Sequence, residues 1–324
     1  MVSNVTDFYQ GEAMREWSTV TLFCLYMISS VVGLCGSVLI VFTLISDKKF
    51  HQETASYTVY LSNLVATDLF FQLYFFPTLA AGLLAGRYPV FDHAHCVVNG
   101  FGLFACSIVF MFTLVAISCD RYVFICHKVT YQKYISRKSS TGICLVMWLV
   151  GGLVCIPSAV DGTIGFDGKT HMCFLQHQGV FTIGHGLTIT VVTVTLVSVA
   201  IPNTLIYHAY HASRRRVRHH RSVHHLEGTS TSQYSVLVVS RNDIALLRSL
   251  LTVFLAFFLL TFPATVLFLI RSSIYVSPFL YRLFIWLYAV NSSINWVIYG
   301  LMNPRFHNGY RRAVDKVGAC CKNA

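Results

Sequence analysis

Charged side chains are scarce in this sequence. Asp, Glu, Lys and Arg together supply 11% of its 324 residues, whereas 55% are hydrophobic. A typical soluble domain has roughly 25% charged residues, so this chain lacks the polar side chains that would cover a soluble fold. The shortage of charge argues against a soluble protein and indicates a membrane protein.

Long apolar runs give the number of membrane spans. A helix that crosses the hydrocarbon layer needs about 20 residues, and seven runs are long enough. They cover residues 18–46, 55–84, 97–126, 141–160, 180–210, 244–270 and 280–302. We therefore predict an all-α membrane protein, a seven-transmembrane helix bundle. The sequence contains no internal repeat, which counts against transporter folds that are built from paired halves.

The distribution of Lys and Arg predicts the orientation, because cytoplasmic segments of membrane proteins are enriched in both. With an extracellular N-terminus and a cytoplasmic C-terminus, all but five of the 24 cationic residues lie on the inner side. The five exceptions are Arg15, Arg87, Lys169, Arg271 and Arg282. The net charge of +11 then reflects topology and attraction to anionic lipid of the inner leaflet, and we expect no nucleic-acid partner.

The chain divides into three regions. Residues 1–17 form a polar extracellular N-terminus without the pattern of a cleavable signal peptide, and residues 18–302 form the transmembrane domain. Within that domain, residues 213–242 are first basic and then rich in hydroxyls, which predicts a flexible cytoplasmic loop. Residues 303–324 are predicted as an amphipathic helix and cytoplasmic tail, because Asn303 can cap a helix and apolar residues recur at helical spacing after it.

Covalent modification is predicted at both ends of the chain and at the outer face. Asn4 begins an Asn-Val-Thr glycosylation acceptor on the extracellular side. Cys96 and Cys173 are the cysteines predicted at the outer face, where oxidation is permitted, and a disulfide between them would tie a loop over the bundle entrance. Cys320 and Cys321 follow a basic segment on the inner side, which suits palmitoylation.

The segment "SCDRYVFICHK" places a guanidinium, that of Arg121, at the inner end of the third span. A charge at this depth must pair or reach the interface. Asp120 is adjacent, and Asp243 begins the sixth span at the same depth. Arg121 either clamps the third and sixth helices together as part of a switch, or it simply ends a helix among other inner-side charges.

Several motifs occur along the chain in a fixed order. They are Asp-Arg-Tyr at 120–122, "NLVATDLF" with Asp68, Trp148, Pro202, Tyr210, Pro263, and "NSSINWVIYG" with Asn295 and Tyr299. With the seven spans and the two outer cysteines, these motifs resemble those of the rhodopsin-like (class A) G-protein-coupled receptors. The segments "RYVFICHKVTYQKYIS" and "NSSINWVIYGLMNPRFHNGYRRA" resemble the melatonin-receptor branch of that family.

The resemblance implies a plasma-membrane receptor, not an enzyme, that signals to a heterotrimeric G protein of the inhibitory class. Arrestin, receptor kinases and membrane lipid are further partners that it implies. It also implies a set of coupling and switch residues: Asp120, Arg121, Tyr122, Tyr210, Asp243, Asn295 and Tyr299. Thr261 stands where the family has an aromatic switch residue, and Trp296 replaces a helix-kinking proline, so constitutive activity is an alternative expectation.

A sodium ion is the one cofactor that the resemblance suggests. The family binds it at the position of Asp68, and Asn291 and Asn295 remain here as amide partners. Ser37 and bulky Phe110, however, replace two residues of the usual site. We therefore expect Asp68 to act mainly in coupling between helices, and we predict no transition-metal site.

The ligand is constrained by two substitutions. By the resemblance, Leu103 replaces the carboxylate that binds biogenic amines, which argues against an aminergic receptor. Ala289 replaces the lysine that binds retinal, which excludes a retinal Schiff base. The predicted ligand pocket consists of Leu103, Ser107, Ser158, Phe174, Gln176, Gln178, Ser198, Thr261 and Thr265. These residues suit a small, uncharged, moderately apolar molecule, and a melatonin-like indole is one such ligand.

Two alternatives stay open at the level of sequence. Outer histidines, including His93 and His95 beside Asp92, could make a receptor that is modulated by protons or by a metal ion. A membrane transporter is the more distant alternative, because Asp68 is essentially the single carboxylate in the membrane interior.

Overall fold

The computed structural model describes the backbone of residues 2–46, 55–85, 93–160, 162, 164–167, 172–175, 183–224, 241–270 and 276–323. Within these ranges, side chains are described except at residues 2–16, 174–175, 183–189, 210, 213–224, 241–247, 250, 268–270, 317 and 320–323. Nearly all of the described backbone is helical.

Seven long helices follow one another in the order that the apolar runs predict. They are α1 (Val2–Ser46), α2 (Ala55–Ala85), α3 (His93–Cys126), α4 (Arg137–Val160), α5 (Ile183–His224), α6 (Arg241–Ile270) and α7 (Pro278–Met302). A short loop helix, Lys128–Tyr134, lies between α3 and α4, and a final helix, α8 (Pro304–Asn323), follows α7. An antiparallel hairpin of β1 (Ile164–Asp167) and β2 (Met172–Leu175) precedes α5.

Length and hydropathy support the membrane location. Five stretches of the described chain are long and apolar enough to span a bilayer: Trp17–Ser46, Ala55–Ala85, His93–Cys126, Arg137–Val160 and Thr190–Ala209. Helix α6 contributes a shorter apolar stretch, Leu251–Leu267, and α7 interrupts its apolar sequence with polar residues at 291–295. The all-α membrane fold is therefore confirmed, with one small hairpin added to it.

Two element boundaries differ from the prediction. Helix α5 continues to His224, so the first part of the segment 213–242 is helical and is not the loop that its basic composition suggested. Residues 225–240 of that segment lie outside the described residues. Helix α1 begins at Val2 and includes most of the predicted N-terminal region. Arginine is a good helix former, and polar composition alone did not separate a helix from a loop.

Helix α3 is the central element of the bundle. It contacts α2, α4, α5, α6 and both strands of the hairpin, and Val109 and Ile117 on it are fully buried. Asn63 of α2 joins three helices, because its Nδ2 donates to Thr113 Oγ1 of α3 (2.8 Å) and its Oδ1 accepts from Trp148 Nε1 of α4 (2.9 Å). Large apolar side chains on the outer faces, such as Leu149, are exposed and available to lipid.

Two glycines bring α1 into close contact with its neighbours. A Cβ added to Gly36 would lie 1.9 Å from Trp296 Cδ1 of α7. A Cβ on Gly33 would lie 2.7 Å from both Gln72 Nε2 and Ser293 Oγ. Small residues allow such close packing of transmembrane helices. Trp296, which stands where proline was expected from the resemblance, therefore fills a notch on α1.

Gln72 links α1, α2 and α7 through hydrogen bonds. It lies in a π-helical turn of α2, Phe71–Phe75, and its side chain is 1% exposed. Its Nε2 donates to the carbonyl oxygen of Ser292 (3.0 Å), and its Oε1 accepts from Ser37 Oγ (3.0 Å). The wider helical turn thus directs the Gln72 amide towards α1 and α7. This use of π-helical turns recurs in proteins.

Helix α8 is the helix that the sequence predicts after Asn303. The Asn303 side chain accepts a hydrogen bond from the backbone N–H of Arg305 (3.0 Å). Phe306 is fully buried and its ring packs 5.4 Å from that of Tyr299. The Tyr310 hydroxyl donates to the carbonyl oxygen of Trp296 (3.1 Å), so α8 is docked on α7.

Replacing Gly36 with alanine tests the packing of α1 against α7. The new methyl group would overlap the Trp296 ring, and overpacking of this kind costs about 1–3 kcal/mol of stability. We expect Gly36→Ala to lower the thermal unfolding temperature of the detergent-purified protein. The matched control is Gly142→Ala on α4, where an added Cβ meets nothing within 4 Å and alanine favours the helix. Equal effects of the two substitutions would contradict this packing.

Candidate functional site

A cavity of about 140 Å³ opens between the helices in the half of the bundle that carries the hairpin. Side chains of α2 to α7 line it, and Ile164 of β1 and Met172 of β2 close it from above. None of the described lining residues is charged. Five residues predicted for the ligand pocket line this cavity: Leu103, Ser107, Ser158, Thr261 and Thr265.

The other predicted pocket residues are not part of this lining. Ser198 of α5 is half-buried and does not line the cavity. Helix α5 contributes Val191 and Val192 instead, and its buried positions further along are Thr195 and Val199, which leaves Ser198 beside the inward stripe. Phe174 lies in β2, but its side chain, like Gln176 and Gln178, lies outside the described residues.

The disulfide predicted between Cys96 and Cys173 is present, with 5.3 Å between the two Cα atoms. It joins the beginning of α3 to β2. Gly100, one turn further along α3, would place a Cβ 3.2 Å from the carbonyl oxygen of Cys173. The hairpin is therefore fixed directly above the cavity by a covalent bond and by close packing.

Two tyrosines of α7 were missed from the sequence. Tyr281 and Tyr288 both line the cavity, and the Tyr288 hydroxyl lies 2.5 Å from Ser107 Oγ of α3. Their spacing with Ile285, at i, i+4 and i+7, places the three residues on one helix face. That periodicity was a usable signal, but it does not show which face of α7 turns inward.

A second, smaller cavity of about 20 Å³ lies beneath the first. Ser107, Tyr288 and Ala289 line both cavities, and Asp68, Phe110 and Asn291 line only the smaller one. One oxygen of the buried Asp68 carboxylate accepts a hydrogen bond from Asn295 Nδ2 (2.9 Å). The structure thus brings together the three residues predicted for a sodium or coupling site.

Three oxygens in this region have no hydrogen-bond partner among the described residues. They are Asp68 Oδ1, Asn291 Oδ1 and Asn295 Oδ1. Carboxylate and amide oxygens are ligands of hard cations, and a volume of about 15 Å³ is enough for one water-sized occupant. Asp68 and Asn291, which line this cavity, could therefore hold one small cation. The Phe110 ring takes up part of the wall, and Asn295 contacts Asp68 without lining the cavity.

At the opposite end of α3, Arg121 and Asp120 form a buried ion pair. Arg121 Nε donates to Asp120 Oδ2 (2.9 Å), and Arg121 Nη2 donates to the same oxygen. The side chains of Tyr57 and Phe124 lie against the guanidinium, with their ring centroids 5.0 and 4.8 Å from its central carbon. The Asp243 side chain lies outside the described residues, and so does the predicted contact between Arg121 and α6.

The predicted tyrosines around this ion pair differ in their surroundings. Tyr299 of α7 is fully buried, and its hydroxyl has no partner among the described residues. The Tyr122 hydroxyl lies 3.3 Å from His127 Nε2 near the surface, and the Tyr210 side chain is outside the described residues.

Burial, together with the negative charge of Asp120, raises the pKa of Tyr131 on the short loop helix to about 12, so Tyr131 stays protonated at neutral pH.

The hypothesis that outer histidines bind a modulating metal ion gains no support from the described part of the chain. No group of three or more His, Cys, Asp and Glu residues there could hold a metal ion. His95 Nε2 lies 3.4 Å from the Tyr74 hydroxyl, which is a bond between α3 and α2. Asp92, the predicted neighbour of these histidines, lies outside the described residues.

Comparison with known proteins shows the family to which the chain belongs. The family model of the seven-transmembrane receptors of the rhodopsin family matches residues 36–299. The chain belongs to this family: it is a multi-pass membrane receptor of class A, a family of G-protein-coupled signalling proteins and not of enzymes.

Within the family, the chain is similar to melatonin receptors, as its motifs predict. Melatonin receptor type 1A-A of Danio rerio is 24% identical over 319 residues, which cover 93% of this chain and 83% of the relative. Melatonin receptor type 1A of Mus musculus is 23% identical over 308 residues, covering 94% and 83%. Melatonin receptor type 1B-A of Danio rerio is 28% identical over 202 residues, covering 60% and 67%.

Neutralising Asp120 tests the role of the ion pair. A hydrogen bond to a charged group contributes roughly 1.5–3 kcal/mol, so Asp120→Asn should release Arg121 and raise basal guanine-nucleotide exchange about tenfold. Exchange is measured with purified G protein and receptor, without ligand. Asp315→Asn on α8 makes the same change at an exposed position and should leave basal exchange unchanged. Unaltered exchange in Asp120→Asn would show that the pair does not restrain the receptor.

Proposed function

We propose that this receptor binds a small, uncharged, moderately apolar molecule in the cavity beneath the hairpin and activates a heterotrimeric G protein of the inhibitory class. The observation that carries the proposal is the lining of that cavity, which is apolar apart from hydroxyls and contains no charged residue in the described chain. The N-terminus is extracellular and the C-terminus cytoplasmic in this proposal, and the receptor acts at the plasma membrane.

The lining argues for an uncharged ligand. An ionised group that enters this cavity would lose its hydration without gaining a counter-ion, which costs several kcal/mol. The volume of about 140 Å³ resembles that of an apolar protein cavity of about 150 Å³ that binds benzene. A small aromatic molecule such as an indole therefore fits the size and the polarity, and melatonin receptors are among the relatives.

The proposed output is a shift between two arrangements of the helices. A ligand that prefers one arrangement increases its population, and by linkage the G protein raises the affinity for that ligand. Arg121 lies at the end of α3 remote from the cavity, beside the short loop helix. It is buried in this arrangement, and a transducer would reach it when the helices move apart. In this proposal Tyr210, Asn295 and Tyr299 support Arg121 in the active arrangement, and Asp243 restrains it in the resting one.

Further partners of the receptor are proposed on the strength of the family and the sequence. Arrestin and receptor kinases would act at the same cytoplasmic face. Palmitate on Cys320 and Cys321 would fix α8 to the inner leaflet, and glycosylation of Asn4 would mark the extracellular end. Asp68, Asn291 and Asn295 would hold a sodium ion through their unpartnered oxygens, which links α2 to α7.

Arg121→Ala tests coupling. Receptor in lipid nanodiscs is mixed with purified G proteins of the inhibitory, stimulatory and phospholipase-activating classes, and guanine-nucleotide exchange is measured before and after addition of melatonin. We expect stimulated exchange with the inhibitory class alone, and we expect Arg121→Ala to reduce it to the rate of the G protein by itself.

Arg282→Ala serves as the control, because it removes an arginine at the cavity end of α7 and not at the coupling end. Thermal unfolding checks that both variants remain folded. Full exchange in Arg121→Ala would contradict the coupling role. Substrate flux through the protein without exchange on any G protein would favour a transporter.

A further inference from the structure

The polar atoms of the ligand cavity belong to one chemical type. Every oxygen-bearing side chain among its described lining residues is a hydroxyl: Ser107, Ser158, Thr261, Thr265, Tyr281 and Tyr288. A hydroxyl has one proton to donate and two lone pairs that accept. Whether a hydroxyl offers its proton or its lone pairs to a ligand depends on whether that proton is already donated to another group.

Three of these hydroxyls donate their proton to their own helix. Thr261 Oγ1 donates to the carbonyl oxygen of Phe257 (2.7 Å), and Thr265 Oγ1 donates to the carbonyl oxygen of Thr261 (3.0 Å). Ser107 Oγ donates in the same way to the carbonyl oxygen of Leu103 (2.7 Å). Hydroxyls bonded back to the preceding turn in this way retain only lone pairs for a ligand.

The direction of the hydrogen bond between Ser107 and Tyr288 follows from this. Because the single proton of Ser107 goes to Leu103, Tyr288 must be the donor across the 2.5 Å separation. The opposite direction would form one hydrogen bond fewer, a loss of stability in a buried site. The Tyr288 oxygen therefore also presents lone pairs and no free proton.

We infer that the cavity selects ligands that carry a polar hydrogen, an N–H or O–H group on a small apolar frame, and that this hydrogen is received by the Ser107–Tyr288 pair. The pair places two acceptor oxygens from different helices side by side in the wall that the ligand cavity shares with the Asp68 cavity. At this pair, a ligand with only acceptor atoms would have to break an existing hydrogen bond before it could form one.

The inference narrows the proposed function, on which it rests, from uncharged apolar molecules to those with a hydrogen-bond donor. It also identifies Tyr288 as a residue that determines ligand specificity. The bond between Ser107 and Tyr288 connects α3 with α7, so a ligand donor at this position would contact both helices at once.

Indole and benzofuran are suitable probes. The two molecules have nearly the same shape, but benzofuran has an ether oxygen in place of the indole N–H. Apparent affinities are measured from the rise in thermal unfolding temperature of the purified full-length receptor at increasing probe concentration. We expect indole to bind about fivefold to tenfold more tightly than benzofuran, as one net hydrogen bond allows.

Ser107→Ala should change this preference in a specific direction. Without the Ser107 hydroxyl, Tyr288 can donate its proton to a ligand. Benzofuran should therefore gain affinity, and the ratio of the indole affinity to the benzofuran affinity should fall to about one. Tyr288→Phe provides a second test, because it removes one acceptor without creating a donor and should weaken indole but not strengthen benzofuran. The control is Ser62→Ala, since Ser62 Oγ also donates to its own helix, at Thr58 (2.8 Å), but does not line the cavity.

The possible outcomes test the inference and the proposed function separately. Equal binding of the two probes to the unaltered receptor would overturn donor selection and leave the proposed function standing. An unchanged ratio in Ser107→Ala and Tyr288→Phe would overturn the assignment to this pair. Binding of neither probe would contradict the proposed ligand class, and the inference with it.

Discussion

The packing at the end of α3 remote from the cavity depends on a buried ion pair within this single helix. The guanidinium of Arg121 is 2% exposed and is neutralised by the preceding residue, Asp120, with aromatic rings on two sides. A buried cation without its partner would be destabilising by several kcal/mol. Because the partner is on the same helix, the charge remains compensated if α6 moves relative to α3, and movement of α6 does not expose an unpaired charge.

A thin wall of side chains separates the ligand cavity from the smaller cavity at Asp68. Ser107, Tyr288 and Ala289 belong to the walls of both, and Phe110 and Phe257 pack together at the smaller cavity with ring centroids 5.2 Å apart. A ligand that displaces these few side chains would change the surroundings of Asp68 directly. In the proposed receptor, a change at the ligand cavity would therefore reach a buried carboxylate over a short path.

Much of this architecture was predictable from local features of the sequence. Apolar runs predicted the helices, Asn303 predicted α8, and the compartment of Cys96 and Cys173 predicted the disulfide. The π-helical turn around Gln72 was not predicted, because its partners Ser37 and Ser292 are distant in the chain. Composition misjudged the extension of α5, and spacing alone could not determine the rotation of α5 and α7, which excludes Ser198 from the cavity and includes Tyr288.

The fit of Trp296 against Gly36 has a consequence for biosynthesis. The glycine notch on α1 is made first, and the Trp296 side chain that fills it is made some 260 residues later, in the last of the seven transmembrane helices. Until α7 inserts, α1 lacks the Trp296 ring that packs against Gly36. A chain that stops before α7 would leave the ring of helices open, and cellular quality control would have a physical defect to recognise.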